Sequence, residues 1–392
     1  MPGLLPSVDP DGLLEYSVVY SDRATNHMSK VFQECMRDIS RILKTVYNGH
    51  SAIIIPGSGT FGMEAVARQF ATGKKCLVIR NGWFSYRWTQ IFDMGSIPSE
   101  SIVLTARPIE AGSQPAYAPP PIEEVVTTIA RERPDFVFAP HVETSSGMIL
   151  SDDYLRAMAD AIHAVGGLFV LDCIASGTIW VDMGQAGVDI LISAPQKDWS
   201  GQPCCGMVLL SQEARERIEA TTSTSFAADL KKWLQIMETY EQGGHAYHAT
   251  MPTDALRVLR EVMRETEKYG FAKVRDEQWE LGSRVRAMMS ERGIKSVAAA
   301  GFGAPGVVVS YTYDDAIKSG KKFADLGLQI AAGVPLQCGE GADFKTFRLG
   351  LFGLDKLQNI ERTIATLAEA LDQIDDSEGL AVVASATRLR SR

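Results

Sequence analysis

Between residues 30 and 210, short apolar runs alternate with amphipathic stretches, and this alternation constrains the fold more than any other feature of the chain. Ser51-Ala-Ile-Ile-Ile-Pro56, Lys75-Cys-Leu-Val-Ile-Arg80, Phe136-Val-Phe-Ala139, Leu168-Phe-Val-Leu-Asp172, Asp189-Ile-Leu-Ile-Ser193 and Gly206-Met-Val-Leu-Leu210 read as strands. They are rich in Val, Ile and Leu with little polar alternation, the pattern of strands buried on both faces. Residues 62–70, 86–94 and 153–165 read as helices between them. In the last, Leu155, Met158, Ile162 and Val165 recur at spacings of three or four. Buried strands separated by amphipathic helices predict an α/β fold with a mainly parallel sheet under helices.

The pattern changes after about Pro252. A long helical stretch runs from there to Arg292, broken near Tyr269-Gly270. Gly306-Val-Val-Val-Ser-Tyr311 and Lys345-Thr-Phe-Arg-Leu349 follow as strands, and a last helix carries Leu357, Ile360, Ile364, Leu367 and Leu371 on one face. These elements predict a smaller C-terminal α+β domain. The expected organisation is an N-terminal segment 1–24, a large domain 25–252, a small domain 253–376 and a frayed tail 377–392. Residues 115–121, rich in Pro and Ala, read as a surface connection without function.

Charge narrows the function. Lys and Arg total 39 against 48 Asp and Glu, a formal net charge of −9. That balance offers no broad basic field for a nucleic-acid backbone, so no nucleic-acid partner is expected. No apolar run reaches the length of a membrane span, and a soluble protein with no membrane partner is expected. Six cysteines without a CxxC, and no basic start to Met1-to-Leu14, point to a reducing, cytoplasmic setting. His245 and His248 have the spacing of a metal pair, but their loop context argues against zinc, and no metal is expected.

Three segments carry chemistry. Asp189-Ile-Leu-Ile-Ser-Ala-Pro-Gln-Lys197 delivers a lone lysine from an apolar strand into a turn of Ser, Gly and Pro. Lys197 is either a solvated loop residue or a partly desolvated amine suited to a Schiff base. Asp172 ends the fully apolar Leu168–Asp172 strand, where an unpaired carboxylate is costly. It is a cap or turn residue, or the partner of a cation such as a pyridinium nitrogen. Pro56-Gly-Ser-Gly-Thr-Phe-Gly-Met-Glu64 is a small-residue turn between strand and helix, and the backbone N–H groups of Ser58, Gly59 and Thr60 suit a phosphate there. It is not a P-loop, since no Gly-Lys-Ser/Thr follows.

Gly-Ser-Gly-Thr, Asp-Cys-Ile-Ala-Ser, Ser-Ala-Pro-Gln-Lys and Phe-Arg-Leu-Gly occur in this chain in that order. In this combination, over roughly residues 25–375, the chain resembles the class V, fold-type I aminotransferases that use pyridoxal 5′-phosphate (PLP). It is most similar to the alanine–glyoxylate and serine–pyruvate aminotransferases. The resemblance implies that Lys197 is the Schiff-base lysine that also moves the substrate proton, and that Asp172 pairs with the pyridine nitrogen. It implies a phosphate held by Ser58, Gly59 and Thr60, with Gln196 beside it. Phe84 matches the aromatic residue stacked on the ring, with Trp83 as the competing choice. Thr144 matches a hydroxyl near the ring oxygen, and Ile174 would pack on the opposite ring face. Arg348, in Phe-Arg-Leu-Gly, matches the arginine that clamps the substrate α-carboxylate. Tyr247 and Thr250 match residues that reach the phosphate of a partner subunit, which implies a homodimer with shared sites.

The implied activity is ping-pong transfer of an amino group between a small amino acid, alanine or serine, and a 2-oxo acid, glyoxylate or pyruvate. Alternatives within the fold are a 2-aminoethylphosphonate–pyruvate aminotransferase and a cysteine desulfurase with Cys338 as the persulfide carrier. A non-catalytic relative is a third, opposed by the intact Lys197, Asp172 and Arg348. Where many relatives carry Gly-Pro-Gly-Pro near the N-terminus, this chain has Asp9-Pro-Asp-Gly-Leu-Leu-Glu-Tyr-Ser-Val-Val-Tyr20. Arg23 could face a second substrate carboxylate there, or solvent. Asp198 either favours a protonated Schiff base at Lys197 or points to solvent.

Overall fold

A computed structural model describes residues 13–375. The expected tail at 377–392, and half of the expected N-terminal segment, lie outside the described residues. The described chain builds a seven-stranded sheet from β1 (Ser51–Pro56), β2 (Lys75–Arg80), β3 (Glu100–Thr105), β4 (Phe136–Pro140), β5 (Leu168–Asp172), β6 (Ile190–Ser193) and β7 (Cys205–Leu210). Across the sheet the order is β1-β7-β6-β5-β4-β2-β3. The run from β6 to β3 is parallel throughout, with Ile192 opposite Asp172 and Pro140 opposite Asp172. Only β7 is reversed, antiparallel to both β1 and β6. The apolar runs form strands because helices cover both faces: every residue of β5, β6 and β7 is buried.

Two antiparallel pairings through β7 leave β1 pointing the same way as β6. The segments that follow β1, β2, β4, β5 and β6 therefore emerge at one rim, the edge where open α/β sheets bind ligands. This topology gathers residues 58–60, 84, 144, 172 and 197 from across the chain.

The main helices, in chain order, are α1 (Lys30–Tyr47), α2 (Gly59–Val66), α3 (Trp83–Gly95), α4 (Ile122–Glu132), α5 (Asp152–Ala164), α6 (Pro195–Asp198), α7 (Leu230–Glu241), α8 (Thr253–Tyr269), α9 (Phe271–Glu291), α10 (Leu354–Gln358) and α11 (Ile360–Asp375), and short helices also form at Met183–Ala186, Gln212–Arg217, Asp315–Lys318 and Lys321–Asp325. Ser29 caps α1 by accepting the Phe32 N–H at 3.3 Å, and Asn48 closes it in the left-handed region. Ser151 caps α5, whose first turn carries Asp152 and Asp153 against the helix dipole. The break expected near Tyr269-Gly270 separates α8 from α9. A second sheet, β8 (Val307–Tyr311), β9 (Ala331–Ala332) and β10 (Thr346–Gly350), has β10 in the middle and antiparallel pairing on both sides. Its own apolar cluster includes Val274, Leu281, Phe323, Phe347 and Leu371.

Some elements differ from expectation. The helix after β1 starts at Gly59, not residue 62, because the turn itself is the first helical turn. The last helix is interrupted at Asn359, which splits the apolar stripe between α10 and α11. Residues 115–121 are not merely a surface connection. Tyr117–Ala118 pairs with Arg107–Pro108, and Tyr117 is buried in a third apolar cluster with Val142, Met148 and Tyr311. The Tyr117 N–H donates to the Val297 carbonyl at 2.7 Å, so this stretch ties the region of the second sheet to the first. Helices α1, α4 and α7 and strand β3 were not foreseen.

Candidate active site

At the shared rim lies a cavity of about 230 Å³ lined by Ser58, Gly59, Thr60, Met63, Phe84, Arg87, Val142, Thr144, Asp172, Ile174, Ala175, Gln196 and Lys197. Nine residues singled out in the sequence meet here: Ser58, Gly59, Thr60, Phe84, Thr144, Asp172, Ile174, Gln196 and Lys197. A larger cavity of about 790 Å³ lies elsewhere, lined by Trp279, Arg286 and a run of small residues. The Arg286 guanidinium there is already engaged by the Gly147, Ala304 and Val307 carbonyls.

Strand β6 ends at Ser193, and the one-turn helix α6 carries Lys197 into the smaller cavity. The Lys197 Nζ lies 5.7 Å from the centroid of the Phe84 ring. Burial lowers its pKa from the ordinary lysine value, with Asp172 and Asp198 pulling the other way. Asp172 closes the neighbouring β5. Its Oδ1 accepts the Ile174 N–H at 2.9 Å, and burial pushes its pKa up to about 6. A lysine whose pKa is lowered and an aspartate whose pKa is raised thus share one small space.

Ser58 stands at the N-cap of α2 with no side-chain cap bond, and this first turn, Ser58 to Thr60, lines the cavity. A Cβ on Gly59 would come within 2.6 Å of Ile174 Cδ1, so a side chain there would have to displace Ile174. The Thr144 hydroxyl is buried and has no hydrogen-bond partner among the described residues. Phe84, not Trp83, faces the cavity; Trp83 instead packs against Tyr86 with centroids 5.7 Å apart.

Arg348 reaches the same ring from the second sheet. Its Cζ is 5.5 Å from the Phe84 centroid, and its Nε donates to the Ala332 carbonyl at 2.8 Å. Burial lowers its pKa, while Glu143 counteracts. Arg348 is thus beside the cavity rather than in its wall. Tyr247 and Thr250 are not in the wall either; the Tyr247 hydroxyl is 3.1 Å from Thr250 Oγ1, and its ring is exposed. Arg23 is exposed.

Asp198 does not point to solvent. It is buried, with Oδ1 accepting the Gly177 N–H at 2.8 Å and Oδ2 the Ser193 hydroxyl at 2.9 Å. Burial pushes its pKa well up. His248 Nε2 is 2.8 Å from the Phe226 carbonyl oxygen, whereas His245 sits edge-on to His27. The Cys338 thiol lies 3.4 Å from the Arg80 carbonyl oxygen, and burial pushes its pKa up to about 12.

Two residues escaped the sequence reading. Glu143 is fully buried and accepts the N–H groups of Phe84 (3.2 Å), Ser85 (2.9 Å) and Ser145 (3.0 Å), together with the Ser85 and Ser145 hydroxyls. It caps the N-terminus of α3 and so orients Phe84. A Cβ on Gly82 would lie 2.0 Å from Ser145 Oγ, so only glycine allows this approach. Its signal in the sequence is the lone acid beside Thr144 in His141-Val-Glu-Thr-Ser-Ser-Gly147. Arg87 was the second, three residues after Phe84 and hence on the same helical face.

A lysine and an aspartate at adjacent parallel strand ends, under a ring borne on the helix after β2, are arranged on the fold of the type I aminotransferases, and the chain resembles their class V members. No family model matches the chain. In sequence it is 26% identical over 334 residues to a 2-aminoethylphosphonate–pyruvate transaminase of Vibrio vulnificus, covering 84% of this chain and 86% of that one. It is 25% identical over 365 residues to an alanine–glyoxylate aminotransferase of Oryctolagus cuniculus, covering 90% and 88%. In fold it is similar to an alanine–glyoxylate aminotransferase from Nostoc sp., with a TM-score of 0.73 over 88% of each chain at 20% identity. Among the described residues no helix is long and apolar enough to cross a membrane.

Proposed function

We propose that this chain is a PLP-dependent class V aminotransferase that moves an amino group between alanine or serine and glyoxylate or pyruvate in a ping-pong cycle. The observation that carries the reading is the pairing of Lys197 and Asp172 in one cavity of about 230 Å³. The residues fit PLP: helix N–H groups at Ser58–Thr60 suit its phosphate, an aspartate its ring nitrogen and a lysine its aldehyde. The unpartnered Thr144 hydroxyl and the side-chain-free cradle at Gly59 add to that fit.

Bound PLP supplies an electron sink for the substrate carbon that bears the amino group. Lys197 holds the cofactor in the resting site, and its amine, already inclined to lose its proton, takes and returns the proton at substrate Cα. Asp172 keeps a proton on the ring nitrogen. Phe84 and Ile174 would flank the ring, and Gln196 would add a polar contact at the phosphate. Arg348 binds the α-carboxylate as a fork, which orients the Cα–H bond. Tyr247 and Thr250, which do not line the cavity of their own chain, are assigned to the phosphate of a second copy. We assign the functional unit as a homodimer with shared sites in the cytoplasm, each protomer divided into domains near residue 252.

The sequence relatives favour one second reading, 2-aminoethylphosphonate as donor with pyruvate as acceptor. A desulfurase is disfavoured because the Cys338 thiol, held near 12, is the opposite of a reactive thiolate. The test is a half-reaction screen in which each amino donor is added alone and formation of pyridoxamine phosphate is followed by absorbance. Rapid conversion with alanine or serine is expected; conversion with 2-aminoethylphosphonate alone would move the assignment to that donor. Borohydride reduction should fix the cofactor on Lys197, and a label on Lys74, Lys75 or any other lysine would overturn its role.

A further inference from the structure

Arg87 is a cation of the cavity wall to which none of the roles above has been given. It sits on α3 one turn beyond Phe84, with Cζ 5.2 Å from the centroid of that ring. Its Nη1 donates to Thr60 Oγ1 at 2.9 Å. Among the described residues the guanidinium has no other hydrogen bond and no ion pair. A guanidinium offers five N–H donors, so four remain for other acceptors. A threonine hydroxyl that accepts from Arg87 also keeps its own proton to donate.

The charged side chains lining this cavity are Arg87, Asp172 and Lys197. Asp172 and Lys197 occupy neighbouring strand ends, and the proposed function commits them to the ring nitrogen and the aldehyde carbon. A phosphate monoester brings a charge of about −1.5 to −2 at neutral pH, whereas a helix N-terminus offers roughly +0.5. The α2 terminus by itself leaves most of that charge uncompensated, and Arg87 touches the first turn of α2 through Thr60.

We propose that Arg87 is the cation of the phosphate subsite, acting with Thr60, and that it makes this cavity select phosphorylated over dephosphorylated pyridoxal. The inference rests on the PLP reading and adds to it the residue that reads the phosphate. Phe84 fixes the direction of the guanidinium by holding it over one ring face.

The test measures equilibrium binding, not turnover. The full chain, freed of cofactor, is titrated with PLP and separately with pyridoxal, followed by absorbance, for wild type, Arg87→Gln and Arg87→Lys. Arg87→Gln should weaken PLP about tenfold to a hundredfold, the range for losing a charge-assisted contact, and leave pyridoxal within about twofold. Inorganic phosphate should compete with PLP in wild type and much less in Arg87→Gln. Arg87→Lys, which keeps the charge but not the fork, should recover part of the loss. Equal weakening of PLP and pyridoxal in Arg87→Gln would overturn the inference, since Arg87 would then act through Phe84 or the fold. Unchanged PLP affinity would overturn it as well. A wild-type chain that binds neither compound would instead overturn the PLP reading and this inference with it.

Discussion

Replacing Asp172 with asparagine separates what this carboxylate contributes to chemistry from what it costs the fold. Asp172 is 7% exposed, and its Oδ1 accepts the Ile174 N–H at 2.9 Å. Burial raises its pKa from 3.8 to about 6, against the pull of that N–H and of Lys197. A group that holds its proton more tightly in the native state than in the unfolded chain loses stability as pH rises through the window between the two values. The penalty begins near pH 4 and is complete above pH 6. A shift of that size corresponds to about 3 kcal/mol, as an order of magnitude. Asparagine cannot ionise, and its side-chain oxygen still accepts from Ile174. The cofactor-free Asp172→Asn chain should therefore be more stable than wild type at pH 8, by up to about 3 kcal/mol, and the two should converge near pH 4. Added PLP should reverse the order, because only the carboxylate retains the pyridinium proton and gains from the bound ring. Amino transfer should fall by one to several factors of ten, at about 1.4 kcal/mol each. Thermal unfolding from pH 4 to 8, with and without PLP, measures both effects. A cofactor-free variant less stable than wild type at pH 8, or one stabilised by PLP as much as wild type, would refute the reasoning.

Three further outcomes follow from the same geometry. Glu143→Gln must set an NH₂ against N–H donors, whichever way the amide turns, because both carboxylate oxygens accept backbone N–H groups. At least one buried N–H is orphaned, at about 2–3 kcal/mol. The thermal midpoint should drop by about 2–4 °C, and a change within 1 °C would show that Glu143 is not what anchors α3. In a hybrid dimer of Lys197→Ala and Tyr247→Ala subunits, assayed at limiting PLP, one site carries both defects and the other neither. About half of wild-type activity is expected from that symmetry, whereas activity no higher than the average of the parent mutants would return Tyr247 to its own chain's site. Cys338→Ala should leave amino transfer within about twofold, as a packed thiol away from the cavity wall predicts; a tenfold loss would place Cys338 in the chemistry.

Two kinds of information separate cleanly in this chain. The apolar period by itself determined that β1, β2, β4, β5, β6 and β7 are strands, because a run such as Leu168–Asp172 has no polar face to leave in water. It also marked Lys197, Asp172 and Ser58–Thr60, since a charge or a small-residue turn at the end of a buried run is a local anomaly. Strand β3 escaped because it lies at the sheet edge, half-covered, where composition is less constrained. Which neighbouring aromatic residue faces the cavity, Phe84 or Trp83, was decided by the phase of α3, and that phase is set by Glu143, 59 residues further along the chain. Arg87 meets Thr60 across 27 residues, and Asp198 meets Tyr47 across 151. Such pairings depend on the strand order β1-β7-β6-β5-β4-β2-β3, which brings five strand ends to one rim. Local pattern carries the period of each element, because period follows from which faces are dry; the partners of a buried polar group follow from which elements become neighbours, and only the assembled sheet decides that.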